Sequence, residues 1–249
     1  MGDRLIRGEG TSEAAWAPWL ARTGARQVSH HELCPPGSRL VVVAPHPDDE
    51  VLACGGLLAL RAAHGLPSLV VAVTDGEASH GTGEPSACAR LAARRSQESY
   101  AGLQSLGVPP SCVVRIGVPD GQAVCFEAAV ASRLRQLLQA SDVVITTWCM
   151  DGHPDHEATA AATVQAARAA GCQLLQAPVW MWHWSAPGDS RIPWHDLVGL
   201  PLPKAAMRAK QHALQRHQSQ LEPRTGGLGP VLVDSIVERA SRNTEYFFA

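Results

Sequence analysis

Between Leu40 and Leu57 the chain reads LVVVAPHPDDEVLACGGL. An apolar run breaks into one imidazole and three carboxylates within the six residues PHPDDE, and a helix-like pattern resumes at once. Charge is costly to bury without partners, so such a cluster needs a cation, a water-filled cleft or both. His46 and Asp49 stand three positions apart, and further along WCMDGHPDHE sets His153 and His156 at the start of another helical pattern. His46, Asp49 and His156 form a facial set of two imidazoles and a carboxylate that leaves positions on a metal open. Zinc catalytic sites use three protein ligands in this way, and the same set can hold non-haem iron. Asp48 is placed as a base for an attacking water. His153 can supply a second proton-transfer or electrostatic group.

Distant segments must be brought together for this to work, and the remaining pattern supplies a frame. RLVVVAP, SLVVAVT, CVVRIGVP and DVVITTW read as strands from their β-branched content. Between and after them DEVLACGGLLALRAAHG, SACARLAARRSQESYAGLQSLG, FEAAVASRLRQLLQA and DHEATAAATVQAARAAG show helical spacing, the first closing on Gly65 and the second on Gly107. APVWMWHW alternates like a further strand, and SEAAWAPWLA predicts a helix packed on the outside. This alternation predicts an α/β, Rossmann-like doubly wound fold with a mostly parallel sheet and helices on both faces. Ligands then bind beyond the carboxyl ends of the strands. PHPDDE, TDGEASH, VPDGQ and WCMDGHPDHE follow the four strands in turn, so polar residues gather at one edge of one sheet. After Ser185 the pattern is less regular, with a basic helix near KAAMRAKQHALQRHQSQ.

The chain has 249 residues, 45 % hydrophobic and 18 % charged, an ordinary globular balance for one sizeable core. A net charge of −2 without Lys/Arg runs argues against a nucleic-acid or anionic-membrane partner. No apolar stretch reaches the roughly 18 residues of a membrane span, and the N-terminus lacks a signal-peptide core. Seven scattered cysteines read as reduced thiols and predict a cytoplasmic protein. No Cys-x-x-Cys is present to bind zinc.

PHPDDE before a glycine-bearing helix, with HPDH further on, resembles the LmbE/PIG-L family of zinc-dependent de-N-acetylases. TDGE, RSQE with LGV, VPDG, Lys210, Ala213, HQSQ (His217 to Gln220) and the terminal EYFF extend the resemblance from Leu40 to the C-terminus. The chain is then a single deacetylase-like domain, 1–249, with 1–39 as an N-terminal extension before the family-like region 40–249. The resemblance implies removal of an acetyl or short acyl group from the amide nitrogen of an N-acetylglucosamine-type sugar or glycoconjugate. It implies one zinc per chain, or another divalent metal, held by His46, Asp49 and His156, with a homo-oligomer possible. Asp48 becomes the general base, His153 assists the tetrahedral intermediate or leaving amine, and Asp155 supports His153. Arg95 and Asp120 match positions that contact sugar hydroxyls, and the late-helix pattern adds His217 to the substrate-binding group. One position departs. Two residues before His153, thiol-pathway members carry a tyrosine that polarises the amide carbonyl, whereas this chain has Asp151. An acidic group stabilises an oxyanion poorly, so Asp151 turns away, another donor takes over, or the substrate differs; Asp151 is counted with the substrate-binding residues, where, facing the cleft, it hydrogen-bonds a substrate hydroxyl or amine.

Blander readings compete with several of these. HPDH alone is a helix start, with Asp155 near the cap and Glu157 in the first turn. CGG lacks the spacing of a phosphate loop, and Cys54 has no base beside it, so close packing and a buried thiol are expected there. Packing is also expected of the WMWHW tryptophans, with sugar stacking by Trp182 or Trp184 the minority reading, and His183 is expected to be a partly buried, satisfied histidine. The polar loop Gly76 to Ser86 is expected to gate substrate. Hydrolysis of another bond, such as a phosphoester, would need a basic cradle, for which only Arg94, Arg95 and Arg115 stand near. A non-catalytic sugar-binding protein would need the ligands but not Asp48.

Overall fold

The strand at Leu40–Ala44 is buried at all five positions. Leu40 and Val42 enter one apolar core while Val41 and Val43 enter another. Successive side chains of a strand point to opposite faces, so a strand apolar throughout needs cover on both. The structure, a computed structural model, describes residues 4–81 and 83–249. Its first elements are α1 (Glu13–Thr23), β1 (Arg26–Gln27), α2 (His30–Leu33), β2 (Leu40–Ala44), α3 (Asp49–Ala63), β3 (Ser68–Thr74) and α4 (Pro85–Ser105). They continue as β4 (Val113–Val118), α5 (Ala123–Leu137), β5 (Val143–Thr147), α6 (Pro154–Ala170), β6 (Gln173–Ala177) and α7 (Met181–Trp184). The chain ends with β7 (Leu197–Pro201), α8 (Lys204–Leu214), α9 (Gln218–Leu221), α10 (Asp234–Ala240) and β8 (Thr244–Phe248).

Eight strands form one sheet in the order β1-β7-β8-β6-β5-β2-β3-β4. All neighbours pair in parallel except β8, which runs antiparallel to both β6 and β7. Helices α3, α4, α8 and α10 cover one face; α5 and α6 cover the other. The expected doubly wound fold is therefore present. The winding reverses between β2 and β5, which opens a crevice at their carboxyl ends. Among the described residues no helix is long and apolar enough to cross a membrane.

APVWMWHW is not a strand. β6 stops at Ala177, and Met181–Trp184 makes one turn of helix. The Asp151 carboxylate accepts the backbone N–H groups of Val179, Trp180 and Met181 at 2.9–3.0 Å. Those are the donors a helix start leaves free, so a carboxylate there favours the turn over a strand. Trp182 joins Trp16, Trp148, Met181 and Phe248 in a third core, with Trp184 packed against it. α1 is helical as expected, and its Trp16 is fully buried. The basic late helix breaks into α8 and α9, with His217 at the junction.

α3 is broken as well. Cys54 leaves the helical region (φ −150°, ψ 29°). Glu245 of β8 reaches across to accept the N–H groups of Gly56 at 2.7 Å and Leu57 at 2.9 Å. Lys210 of α8 binds the same carboxylate at 2.7 Å and the Leu52 carbonyl at 3.1 Å. A Cβ on Gly56 would stand 2.4 Å from Leu202 Cδ1 and 3.1 Å from Glu245 Oε1, which is why glycine sits there. CGG is a close-packing device, as expected.

Candidate active site

The turn after β2 carries His46, Asp48 and Asp49. Asp48 has φ 131°, the only non-glycine positive φ among the described residues, a conformation costly for an L side chain. Its surroundings hold it there. Arg95 of α4 donates to the Pro47 carbonyl at 2.7 Å, the Gly76 carbonyl at 2.9 Å and Asp48 Oδ2 at 3.1 Å. Glu50 accepts the Asp48 N–H at 3.0 Å and is itself held by the Ser99 hydroxyl at 2.6 Å.

His156, in the first turn of α6, meets this turn across the crevice. Asp49 Oδ2 lies 3.1 Å from His46 Nδ1 and 3.1 Å from His156 Nε2. The opposite ring nitrogens face carboxylates. His46 Nε2 is 3.2 Å from Asp120 Oδ1 and 3.2 Å from Asp155 Oδ2, and His156 Nδ1 is 2.8 Å from Asp151 Oδ2. An ionised carboxylate only accepts, so those outer nitrogens donate, and the Asp49-facing nitrogens present lone pairs once a cation displaces their protons. His156 Nε2 is buried without a hydrogen-bond partner. Two imidazole lone pairs and a carboxylate oxygen around one point are a divalent-metal donor set, and the residues fit such an ion. His46, His153 and His156 also offer ring nitrogens within 4.8 Å of one another, as do ligand atoms of His46, Asp120 and Asp155. Three backbone N–H groups already occupy the second set: Gly121 and Ala123 bind Asp155 at 2.7 and 3.0 Å, and Ala78 binds Asp120 at 2.8 Å. His153 Nδ1 accepts the Asp155 N–H at 3.2 Å, which places its proton on Nε2.

The electrostatics match a site built around positive charge. Burial, against the pull of Arg95 and aided by Asp49 and Glu50, pushes Asp48 up to about 7. Asp49 is buried too, yet His156 and His46 hold it well below the usual carboxylate range. Burial opposes protonation of His156, but Asp49 and Asp151 raise it to about 9, and hydrogen bonds to Asp120, Asp155 and Asp49 similarly raise His46. Burial and the charges of His156 and His46 lower His153 to about 3, so it is neutral near neutral pH.

A cleft of about 690 Å³ opens over these residues; His46, Asp48, Asp49, Asp120 and His153 all line it. Four expectations need correction. Asp151 is fully buried behind His156, with its carboxylate occupied, and does not line the cleft. His217 is fully buried and likewise off the cleft wall. Arg95 lines the cleft, but its terminal nitrogens serve the Asp48 turn rather than standing free for hydroxyls. Asp155 sets its carboxylate against His46 and meets His153 only through its backbone N–H. Trp182 and Trp184 sit in the tryptophan core, and the cleft tryptophan is Trp180. Gln220, the last residue of HQSQ, also lines it, as do Ile6 to Glu9 from the N-terminal extension and Gly229 to Val233. No spacing in those two segments pointed to them. His183 Nε2–H donates to the Arg7 carbonyl, 3.1 Å away, and helps line the cleft. In the 76–86 loop Ala78 and Ser79 face the cleft; Thr82 lies outside the described residues.

A mostly parallel sheet with a two-histidine, one-carboxylate cluster at its switch point defines the class, a doubly wound α/β fold. Residues 41–167 match the profile of PIG-L, GlcNAc-PI de-N-acetylase, and the chain belongs to that family. It is 41 % identical over 150 residues to 1D-myo-inositol 2-acetamido-2-deoxy-alpha-D-glucopyranoside deacetylase from Corynebacterium glutamicum, covering 48 % of this chain and 49 % of the relative. The chain thus spans about half the length of that relative. Among solved structures it is similar to the conserved protein TT1542 from Thermus thermophilus, with 27 % identity, a TM-score of 0.59, and 84 % and 93 % of the two chains covered. Teicoplanin deacetylase Orf2, solved in a zinc-inhibited form, shares the fold at 19 % identity and a TM-score of 0.61, over 74 % of this chain and 85 % of that one.

Proposed function

We propose that this chain is a zinc-dependent hydrolase that removes an acetyl or short acyl group from the amide nitrogen of an N-acetylglucosamine-type sugar or glycoconjugate. One observation carries it: a strained, arginine-clamped Asp48 stands in an open cleft beside two imidazole nitrogens that meet at Asp49 Oδ2. His46, Asp49 and His156 hold the metal. His153 stays outside the ligand set, because its Nε2 carries a proton while Nδ1 accepts from Asp155. Bound zinc supplies Lewis acidity, polarising the amide carbonyl and acidifying water. Asp48 accepts the proton of the attacking water, and a value near 7 suits a group that must take a proton and give it back. His153 Nε2–H donates to the developing oxyanion. Asp48 then returns its proton to the leaving amine, releasing a carboxylate and a free amino sugar. Asp120 and Trp180 are the polar and aromatic walls offered to the sugar.

The three arginines that the sequence offered as a phosphoester cradle are engaged elsewhere, while Arg7 and Arg224 are the other arginines lining the cleft. Arg95 binds Asp48, Arg94 binds Glu98 and Glu222, and Arg115 pairs with Asp75. A cytosolic setting accords with seven unpaired cysteines. The test is a panel of N-acyl amino sugars offered to the zinc-loaded protein, with acetate and amine release measured. Release from at least one sugar amide is expected. Silence across the panel, with turnover of a phosphate ester by the same preparation, would overturn the proposal.

A further inference from the structure

A second, smaller cavity of about 40 Å³ lies among α3, α8, α10 and β8, sharing only Leu52 and Ile236 with the cleft. Its lining carries three cations, Lys210, Arg239 and Arg242, against one carboxylate, Glu245. Two of the cations are matched. Lys210 binds Glu245 at 2.7 Å. Arg242 binds Glu13 through two nitrogens at 2.7 and 2.8 Å and lies over the Trp182 ring at 4.4 Å. Among the described residues Arg239 is not matched. It is 7 % exposed, its one hydrogen bond goes to the Ser235 hydroxyl at 2.7 Å, and its Nε is buried without a partner. Glu13 is taken by Arg242, and Glu238 stands exposed on α10. Burial and Arg242 lower Arg239 to about 10, which still leaves it charged at neutral pH. A buried cation without an anion is costly, and the cavity has room for one ion of about a water's size or a small carboxylate.

We propose that this cavity is a binding site for one small monovalent anion, chloride or a short carboxylate such as acetate, held by the Arg239 guanidinium with Arg242 and Lys210 completing the positive wall. The anion would neutralise the one unmatched charge where α10, β8 and the broken helix α3 converge. The site stands on this geometry alone, whatever reaction the cleft performs.

The test is thermal denaturation of the full chain in gluconate buffer at constant ionic strength, with chloride, acetate or sulfate replacing gluconate. Chloride, acetate or both should raise Tm saturably, by about 3–6 °C at tenfold above the dissociation constant. Which of the two acts identifies the ion. Sulfate should not reproduce the effect, and Arg239→Met should abolish it. An equal response to sulfate, or an Arg239→Met protein with an undiminished chloride or acetate response, would overturn the site. Should that variant not fold, native crystals soaked in bromide decide. An anomalous peak beside Arg239 supports the site; water at full occupancy there, with none of the soaked or titrated ions bound, refutes it.

Discussion

Asp48 and Asp49 bear the same side chain on different backbones. Asp49 opens α3 with its oxygen between two imidazoles, while Asp48 is twisted to φ 131° and tied to Arg95. Asp48→Asn is nearly isosteric and removes only proton acceptance, so zinc content should persist while kcat falls about 10²–10⁴-fold. Asp49→Asn should lose metal, since a neutral amide is a poorer ligand than a carboxylate. Elemental analysis and initial rates on the two variants decide, and the opposite pattern would exchange their roles. Asp151→Asn tests the buried carboxylate behind His156. Zinc affinity should drop about 10–100-fold, the usual effect of losing a histidine's outer partner, with KM little changed at saturating metal. A raised KM at unchanged zinc affinity would return Asp151 to the substrate side. The convergence of His46, Asp49 and His156 was legible because strand-end residues of a doubly wound sheet share one edge. Asp151 was not, because its direction depends on the neighbouring Gly152 at φ 93° and on a helical turn, α7, that alternating tryptophans disguise as a strand.

The elements that carry these residues are held from afar. α3 begins at Asp49 and breaks at Cys54, and its second half is capped by a carboxylate 189 residues away in sequence. DEVLACGGLL shows unbroken helical spacing, so a break supported by the last strand leaves no local trace. The strand–helix alternation is local, which is why the sheet and its flanking helices could be read. Glu245→Gln should remove the charge that matches Lys210 and weaken the cap, costing about 3–5 kcal/mol as expected when a buried pair loses one partner. Adding Lys210→Met should recover part of that loss. Urea unfolding of the single and double variants measures both quantities. A single variant within about 0.5 kcal/mol of wild type, the range of surface substitutions, would show that the cap contributes little to stability.

Across the whole molecule, segments outside the family-matched residues complete the site. Ile6 to Glu9 and the stretch before α10 wall the cleft from opposite ends of the chain, bridged by the Ser235 hydroxyl on the Glu9 carbonyl at 2.6 Å. His217 is buried between α8 and α9, against Gly102 of α4, with neither ring nitrogen hydrogen-bonded. Burial first, and the charge of Arg95 second, lower it from 6.5 to about 3. Between those values the unfolded chain takes up a proton that the folded chain refuses, so stability falls as the pH drops below about 6.5 and goes on falling towards about 3. At roughly 1.4 kcal/mol for each pH step of one below that point, the loss from this group by pH 5 is about 2 kcal/mol. His153, lowered to about 3, contributes in the same direction, whereas His46 and His156, both raised, add stability that is present at low pH and lost as pH rises through their folded values. The His217 contribution is therefore isolated as a difference between proteins at one fixed zinc saturation. His217→Gln stays neutral throughout, and whatever its stability at pH 7.5, its decline between pH 7 and pH 5 should be shallower than that of wild type by about 2 kcal/mol. Denaturant midpoints at half-unit steps of pH measure the two slopes; parallel slopes would mean that His217 gains a proton as readily in the folded protein as in the unfolded chain.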